Sequence, residues 1–333
     1  MPRWSGLRSD EVARDAVRLM TVDRVRDEVR LRSFAVLPEL LRAGDLIVVN
    51  DAATLPASLP GRAADGRELE IRLSGPVDGN RLYGIAFGPG DHRTRTEDRP
   101  KPPALAAGDT LSLGAITATV VKVTGRRVEL VARTDADALW QALYANGRPV
   151  QYAHRPELLP LWSVQTAYAA RPWAAEMPSA GRPLSWEVLL ALRRAGVQIA
   201  SLTHAAGLSS TGDDDLDRAL PWPELYQIPR RTADAIAETH RRGGRVIAIG
   251  TTVVRALEAS RGAAGSGCAT LRLDARYRPA IVDGLVSGLH VPGESHFELL
   301  TAFAPADRLE RAIALAAAAG LSGHELGDAC LIV

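Results

Sequence analysis

The sequence predicts an α/β protein: a large mixed α/β domain formed by residues 1–59 and 134–333, interrupted at 60–133 by a small antiparallel β-barrel-like insertion. Three observations carry this. Apolar strands and helices alternate on both sides of the middle segment, and several helices stop at glycine. Between Pro60 and Arg133 the texture changes to short runs, ELEIRLSG, RLYGIAFG, DTLSLG, AITATVVKV and RRVELVAR, separated by turn signals such as Asp65-Gly66, Asp78-Gly79 and Gly125-Arg126. Many short strands at regular spacing are the pattern of a small barrel or sandwich. Finally, 333 residues at 46% hydrophobic content can bury a large core.

Taken in order, an amphipathic stretch, FAVLPELLRAGD, leads into the apolar strand LIVVN, whose exit carries Asn50 and Asp51. Polar groups at such an exit face a crevice, because ligands of open α/β sheets gather beyond the carboxyl ends of the strands. Inside the insertion, the polar and Pro-rich segment 88–109 mixes acidic with basic residues and reads as a long solvated loop. After Arg133, DALWQALYANG and LSWEVLLALRRAG read as helices ending at glycine, and VQIASLTH reads as a strand ending in His204. ADAIAETHRRGG is a helix that closes on glycines before the strand RVIAI, and LERAIALAAAAG is another.

RVIAI breaks at Gly250 and enters a helix, with Thr251 or Thr252 placed to cap it. A helix start offers unpaired N–H groups and partial positive charge, so it can hold a carboxylate or phosphate. Arg255 either backs such an anion site or forms a surface pair with Glu258.

Composition narrows the function. Cys268 and Cys330 lack the spacing of a zinc site or of a disulfide framework, and the seven histidines include no HExxH pair. The sequence therefore gives a metal no support. No stretch approaches the roughly 18 apolar residues of a membrane span, and MPRWSGLRSDEVARD lacks the apolar core of a signal peptide. A cytoplasmic protein without membrane contact, monomeric or weakly dimeric, is expected. The net charge of +1 lacks the basic balance of a dedicated nucleic-acid binder.

GGRVIAIGTTVVRALE, LPELLRAGDLIVVND (37–51), Gln165-Thr166 with Tyr168-Ala169, MPSAG (177–181) and VDGL...LHVP (282–292) stand in order along the chain. Together they resemble the S-adenosylmethionine:tRNA ribosyltransferase-isomerase family of queuosine biosynthesis. That resemblance implies a large α/β domain with an inserted β-barrel, S-adenosylmethionine as co-substrate and tRNA as partner. It also implies transfer and isomerisation of the ribosyl moiety onto a 7-aminomethyl-7-deazaguanine base, giving epoxyqueuosine with release of adenine and methionine. Such chemistry needs a base, a group to steady the departing adenine, and anchors for the methionine carboxylate and amine.

For the residues, the resemblance points to His204 and His290 as acid–base groups, His204 as one titrating near neutrality, with Asp51 and Asp283 next in line as the base. It implies binding roles for Asn50, Gln165, Thr166, Ser179, Ala180, Gly181, Glu224, Gly250, Thr251, Thr252, Arg255 and Pro292, while His296, a polar group where the family pattern has none, is a further binding candidate that would compensate for lost histidines. Structural alternatives stand beside these: an Asx turn at Asn50-Asp51, a structural histidine at His204, and a packed aromatic or a stacking surface at Trp222. Several signatures are altered. Ala53 and Ser58 stand where arginines are usual, ALPWPE keeps Glu224 but loses two histidines, Ser287-Gly288 replaces T-N, and Glu294-Ser295-His296-Phe297 replaces S-T-L-L. Two other readings therefore remain: an S-adenosylmethionine-dependent enzyme acting on a small amine or free deazapurine, and a catalytically silent RNA- or nucleoside-binding paralogue.

Overall fold

The LIVVN run forms the strand Leu46–Asn50, all five residues buried, as a parallel strand covered on both faces requires. In the computed structural model, which describes residues 14–323 and 326–333, this strand lies within a mixed sheet. Among the described residues that sheet has nine strands, in the order Gly265–Ala269, Glu224–Ile228, Gln198–His204, Leu46–Asn50, Val246–Ile249, Gly284–Gly288, Ala329–Ile332, Arg18–Asp23 and Glu28–Ser33. The four from Gln198–His204 to Gly284–Gly288 run parallel. Their carboxyl ends consequently open on one edge.

Side chains on a strand alternate between faces, and two cores follow. Leu46 and Val48 pack with Ile236, Val254, Leu257 and Ile313, from helices Arg230–Arg241, Thr251–Ser260 and Ala306–Ala318. Ile47 and Val49 pack on the other face with Val188, Leu189 and Leu192 of helix Trp186–Arg194, whose start is capped by Ser185. Asp328, in the LGDACLI tail, accepts from the Arg18 N–H at 2.6 Å and the Ser322 N–H at 2.8 Å, closing the sheet where the last strand begins. No helix among the described residues is long and apolar enough to cross a membrane.

The middle segment is a closed barrel of strands Ser58–Ala63, Glu68–Leu73, Arg81–Phe87, Thr110–Leu113, Ile116–Thr124 and Arg127–Ala132. Five of these are the runs expected from alternation. The sixth, SLPGRA, hides its period behind Pro60 and Gly61. Glycine is required there, since a Cβ at Gly61 would lie 2.3 Å from the Ser112 carbonyl oxygen. The entry strand is tied to the chain returning from the barrel by reciprocal backbone hydrogen bonds between Ser58 and Arg148, 2.8 and 3.0 Å.

Segment 88–109 departs from the solvated loop expected. Arg99 is buried and donates to the Glu70 carboxylate and to the Gly88 and Gly90 carbonyls, while Glu70 also accepts from Arg72 at 2.8 Å and from the Ser58 hydroxyl at 2.7 Å. The guanidinium groups of Arg72, Arg99 and Arg126 lie 4.5, 5.3 and 4.5 Å from the centre of the Phe87 ring. A charge balance in sequence cannot reveal that one arginine of a polar segment closes a buried ion-pair network.

Candidate active site

A cavity of about 480 Å³ lies at the carboxyl ends of the parallel strands. Gly250 to Thr252 follow one strand, Ser287 and Gly288 end the next, and Ala206 to Ser210 follow His204. The wall opposite comes from Tyr152, Glu176 and the MPSAG turn. Ala175, Leu208 and Trp222, in segments beside the cavity, pack into the barrel core, so the insertion abuts the site.

The junction at Gly250 has a backbone that only glycine adopts readily, φ 97° and ψ 153°, and Gly250 itself is the N-cap. Contrary to the capping role expected of them, Thr251 and Thr252 lie inside the first turn and no side chain caps the helix. Val253 and Val254 N–H groups fold back onto the Gly250 carbonyl at 3.2 and 3.3 Å. The Thr251 and Thr252 N–H groups are thus those that a helix leaves without an intrahelical partner, and both residues line the cavity.

Arg255 does not pair with Glu258. It is buried, and its guanidinium donates to Glu224 and to the carbonyls of Leu271, Trp222 and Ala269. Glu258 turns instead to the N–H groups of Ala280, Ile281 and Val282 and to the Tyr277 hydroxyl. Trp222 is a packed aromatic: its indole N–H donates to the Leu216 carbonyl at 3.2 Å, and Arg127 stacks on it at 4.6 Å.

Glu224 lines the cavity and also accepts from the Gly207 N–H at 2.6 Å. Burial pushes its carboxyl up, against the pull of Arg255 and Gly207. His204 lies behind it, fully buried, with Nε2 3.6 Å from the Glu224 carboxylate. Among the described residues neither ring nitrogen finds a hydrogen-bond partner. Burial, reinforced by Arg255, pushes its pKa down to about 3. This corrects the expectation of a group titrating near neutrality: His204 is a neutral ring that does not reach the cavity lining.

His290 does reach it. Its Nε2 is 3.2 Å from the Ser287 hydroxyl and its Nδ1 is 3.2 Å from the Glu294 carboxylate, while the His296 ring stacks on it at 4.7 Å and 16°. Ser179 and Ala180 also line the cavity, in the turn Ser179–Gly181.

The remaining expected site residues hold the framework. Asn50 uses both ends of its amide, accepting from the His204 and Ala52 N–H groups at 2.9 and 3.1 Å and donating to the His204 carbonyl at 3.0 Å and the Thr252 hydroxyl at 3.4 Å. Asp51 accepts from the hydroxyls of Ser201 and Thr203 at 2.9 and 2.6 Å, on the neighbouring strand. Gln165 clamps Thr54 through its N–H and carbonyl, both at 2.9 Å, and Thr166 is buried. A Cβ at Gly181 would strike the Tyr168 hydroxyl at 2.0 Å. Pro292 is exposed beside the cavity rim. Asp283 lies at the opposite end of its strand: it precedes Gly284, which pairs with Ile247, and accepts from the Val246 N–H and from His240 at 2.8 and 2.9 Å. It is a strand-start brace far along the sheet from Gly250 and Ser287.

Sequence reasoning missed Tyr152 and Glu176. The Tyr152 hydroxyl donates to Glu176, which also accepts from the Ser209 N–H at 2.9 Å. QYAHRPELLP has no periodicity to betray Tyr152, whereas Glu176 immediately precedes MPSAG, and that adjacency is the signal that could have found it. Burial and the Glu176 charge push the Tyr152 hydroxyl up, so it stays protonated.

A family model described as queuosine biosynthesis protein matches residues 8–332. The S-adenosylmethionine:tRNA ribosyltransferase-isomerase of Geobacter sulfurreducens is 33% identical, over 96% of this chain and 94% of its own length. The enzyme of the same name from Sorangium cellulosum is 34% identical, over 96% and 92%. In fold, the chain is similar to a solved structure of S-adenosylmethionine tRNA ribosyltransferase from Thermotoga maritima, with a TM-score of 0.52 and 24% identity over 96% of this chain and 93% of that one. The chain belongs to the queuosine biosynthesis protein family.

Proposed function

We propose that this protein is an S-adenosylmethionine:tRNA ribosyltransferase-isomerase: it transfers and isomerises the ribosyl moiety of S-adenosylmethionine onto a 7-aminomethyl-7-deazaguanine base in tRNA, giving epoxyqueuosine and releasing adenine and methionine. One observation of the site carries the reading beyond family membership. The cavity combines four acidic side chains, Glu176, Asp217, Glu224 and Glu294, of which Glu224 is paired with the lining Arg255, with a helix start at Thr251 and Thr252. S-adenosylmethionine is a sulfonium cation with an amine at one end and a carboxylate beside it. Acidic walls favour the cation, and the helix start favours the carboxylate. The volume is within the roughly 300–1,000 Å³ of small-molecule sites.

Thr251 and Thr252 hold the methionine carboxylate through backbone N–H groups, with Gly250 allowing close approach. Arg255 lines the cavity beside them and keeps Glu224 paired. Of the three histidines lining the cavity, His154, His290 and His296, His290 is held between the Ser287 hydroxyl and the Glu294 carboxylate and takes the acid–base role, and the barrel beside Leu208 and Trp222 docks the RNA.

Incubation with labelled S-adenosylmethionine, followed by mass spectrometry of tRNA and of small molecules, tests this. Adenine and methionine should appear only with tRNA present, and the base should gain the ribosyl-derived mass. Release that requires only a small amine or free deazapurine moves the protein to that acceptor class, and binding without release makes it a silent paralogue.

A further inference from the structure

Three cavity side chains from one short stretch lie on a single line of hydrogen bonds. Ser287, at the end of strand Gly284–Gly288, has its hydroxyl 3.2 Å from His290 Nε2. His290 Nδ1 is 3.2 Å from Glu294 Oε2, and the same oxygen accepts from the Val291 N–H at 3.3 Å. The ring is also held in its plane by the stacked His296. His290 is 22% and Glu294 48% exposed, so the line runs from a buried strand end to solvent.

The chemistry of the three groups sets the direction. Burial pushes the Glu294 carboxyl up, but its contacts with His290, the Val291 N–H and His296 together outweigh this and bring it below the usual range, so it is ionised at neutral pH. An ionised carboxylate only accepts, so Nδ1 carries the ring hydrogen. In the neutral imidazole Nε2 is then an acceptor, and the Ser287 hydroxyl donates to it. A fixed tautomer with its Nε2 lone pair turned inward onto a hydroxyl is the arrangement that lets an imidazole serve as a base.

We propose that Ser287, His290 and Glu294 form a proton relay of this site, in which His290 Nε2 receives a substrate proton through the Ser287 hydroxyl and Glu294 is the positioning residue that holds the Nδ1–H tautomer. As the substrate proton passes to the serine oxygen, the serine's own proton passes to Nε2. The electron pair of the broken bond stays on the substrate, and the imidazolium is left facing Glu294. In the family signature the places of Ser287 and Glu294 are ordinarily threonine and serine, so the carboxylate behind His290 departs from that signature. The relay rests on the ribosyltransferase reading only for which proton is moved.

The test uses the full chain labelled with ¹⁵N-histidine, the His290 ring being assigned by its loss in His290→Gln. Wild type should show the Nδ1–H tautomer, and Glu294→Gln should lose that preference, because an amide can donate as well as accept. Glu294 is half exposed in a turn, so this variant folds. With cofactor and tRNA, Glu294→Gln should slow adenine release by at least about tenfold, part of the roughly 10²–10⁴ that acid–base catalysis contributes, with KM nearly unchanged. Ser287→Ala should lose turnover that Ser287→Thr, which keeps a hydroxyl, restores. An Nε2–H tautomer in wild type, or a Glu294→Gln variant unchanged in both tautomer and rate, overturns the relay. If the tautomer responds as expected but wild type releases no adenine, the relay stands and the ribosyltransferase assignment falls.

Discussion

Arg255 directs four of its five N–H donors to Glu224 and to three carbonyls from two other segments. Removing it leaves the Glu224 carboxylate uncompensated in the cavity wall. Arg255→Ala should therefore lower stability by about 3–5 kcal/mol, the cost typical of breaking a buried pair; an exposed pair would give less than about 1 kcal/mol. A urea titration of both proteins decides between the two. The GTT-xx-R motif marked this arginine, but its partner lies 31 positions away on a strand that the spacing of Arg255 and Glu258 could not suggest. His204 poses the same difficulty. Its position at a strand end was legible, while its burial depends on Glu224 packing over it from the neighbouring antiparallel strand. The folded pKa of about 3 lies below the ordinary value of 6.5. The unfolded chain therefore binds the proton first, and the stability held in the neutral ring is complete above pH 6.5 and lost as pH falls from there toward 3. Histidine ring NMR should find His204 neutral throughout that window, and His204→Gln should flatten the acid limb of a stability–pH curve. A ring that titrates near pH 6.5 in the folded protein would return His204 to the acid–base candidates.

Periodicity reported the elements well wherever a strand or helix keeps one apolar face, as in Leu46–Asn50, Gln198–His204 and five of the barrel strands. It failed for Glu224–Ile228 and Gly265–Ala269, where ELYQI is too short and irregular to show a period, GSGCA has almost no apolar signal, and strand form comes from pairing with each other and, for Glu224–Ile228, with Gln198–His204. The strand-to-helix junction is the element on which the site depends most. At Gly250 an added Cβ would meet only Ala180 Cβ and the Thr252 hydroxyl, both at 3.6 Å, so space is not the obstacle; the backbone angles are. Gly250→Ala should cost about 1–3 kcal/mol of stability, the usual strain of a side chain in a region reserved for glycine. It should also weaken binding of S-adenosylmethionine measured by calorimetry, because the Thr251 and Thr252 N–H groups shift with the turn. Calorimetry showing full affinity alongside lost stability would remove the helix start from the binding site.

At the scale of the molecule, the sequence disclosed an α/β body and a β-rich middle, because both follow from local patterns. It could not disclose that the barrel core takes in Ala175, Leu208 and Trp222, residues whose own segments flank the cavity. That packing sets a basic-and-acidic barrel surface beside the site of a protein whose net charge is only +1. Under the proposed function, tRNA binding has to neutralise phosphates, and the logarithm of affinity falls with the logarithm of salt in proportion to the number neutralised. Ala53 and Ser58 occupy places where the family signature has arginines, and Ser58 is instead committed to Glu70 inside the barrel. The slope of log affinity against log salt should therefore be shallower than that of a family member carrying both arginines measured side by side, by about 0.7–0.9 for each phosphate left without its arginine. Ser58→Arg would not restore it, since the side chain starts from a buried ion-pair network, whereas Ala53→Arg, at a half-buried strand position, would steepen it. Adenine release that ignores both salt and ribonuclease would show that the barrel docks no RNA and that the acceptor is a small molecule.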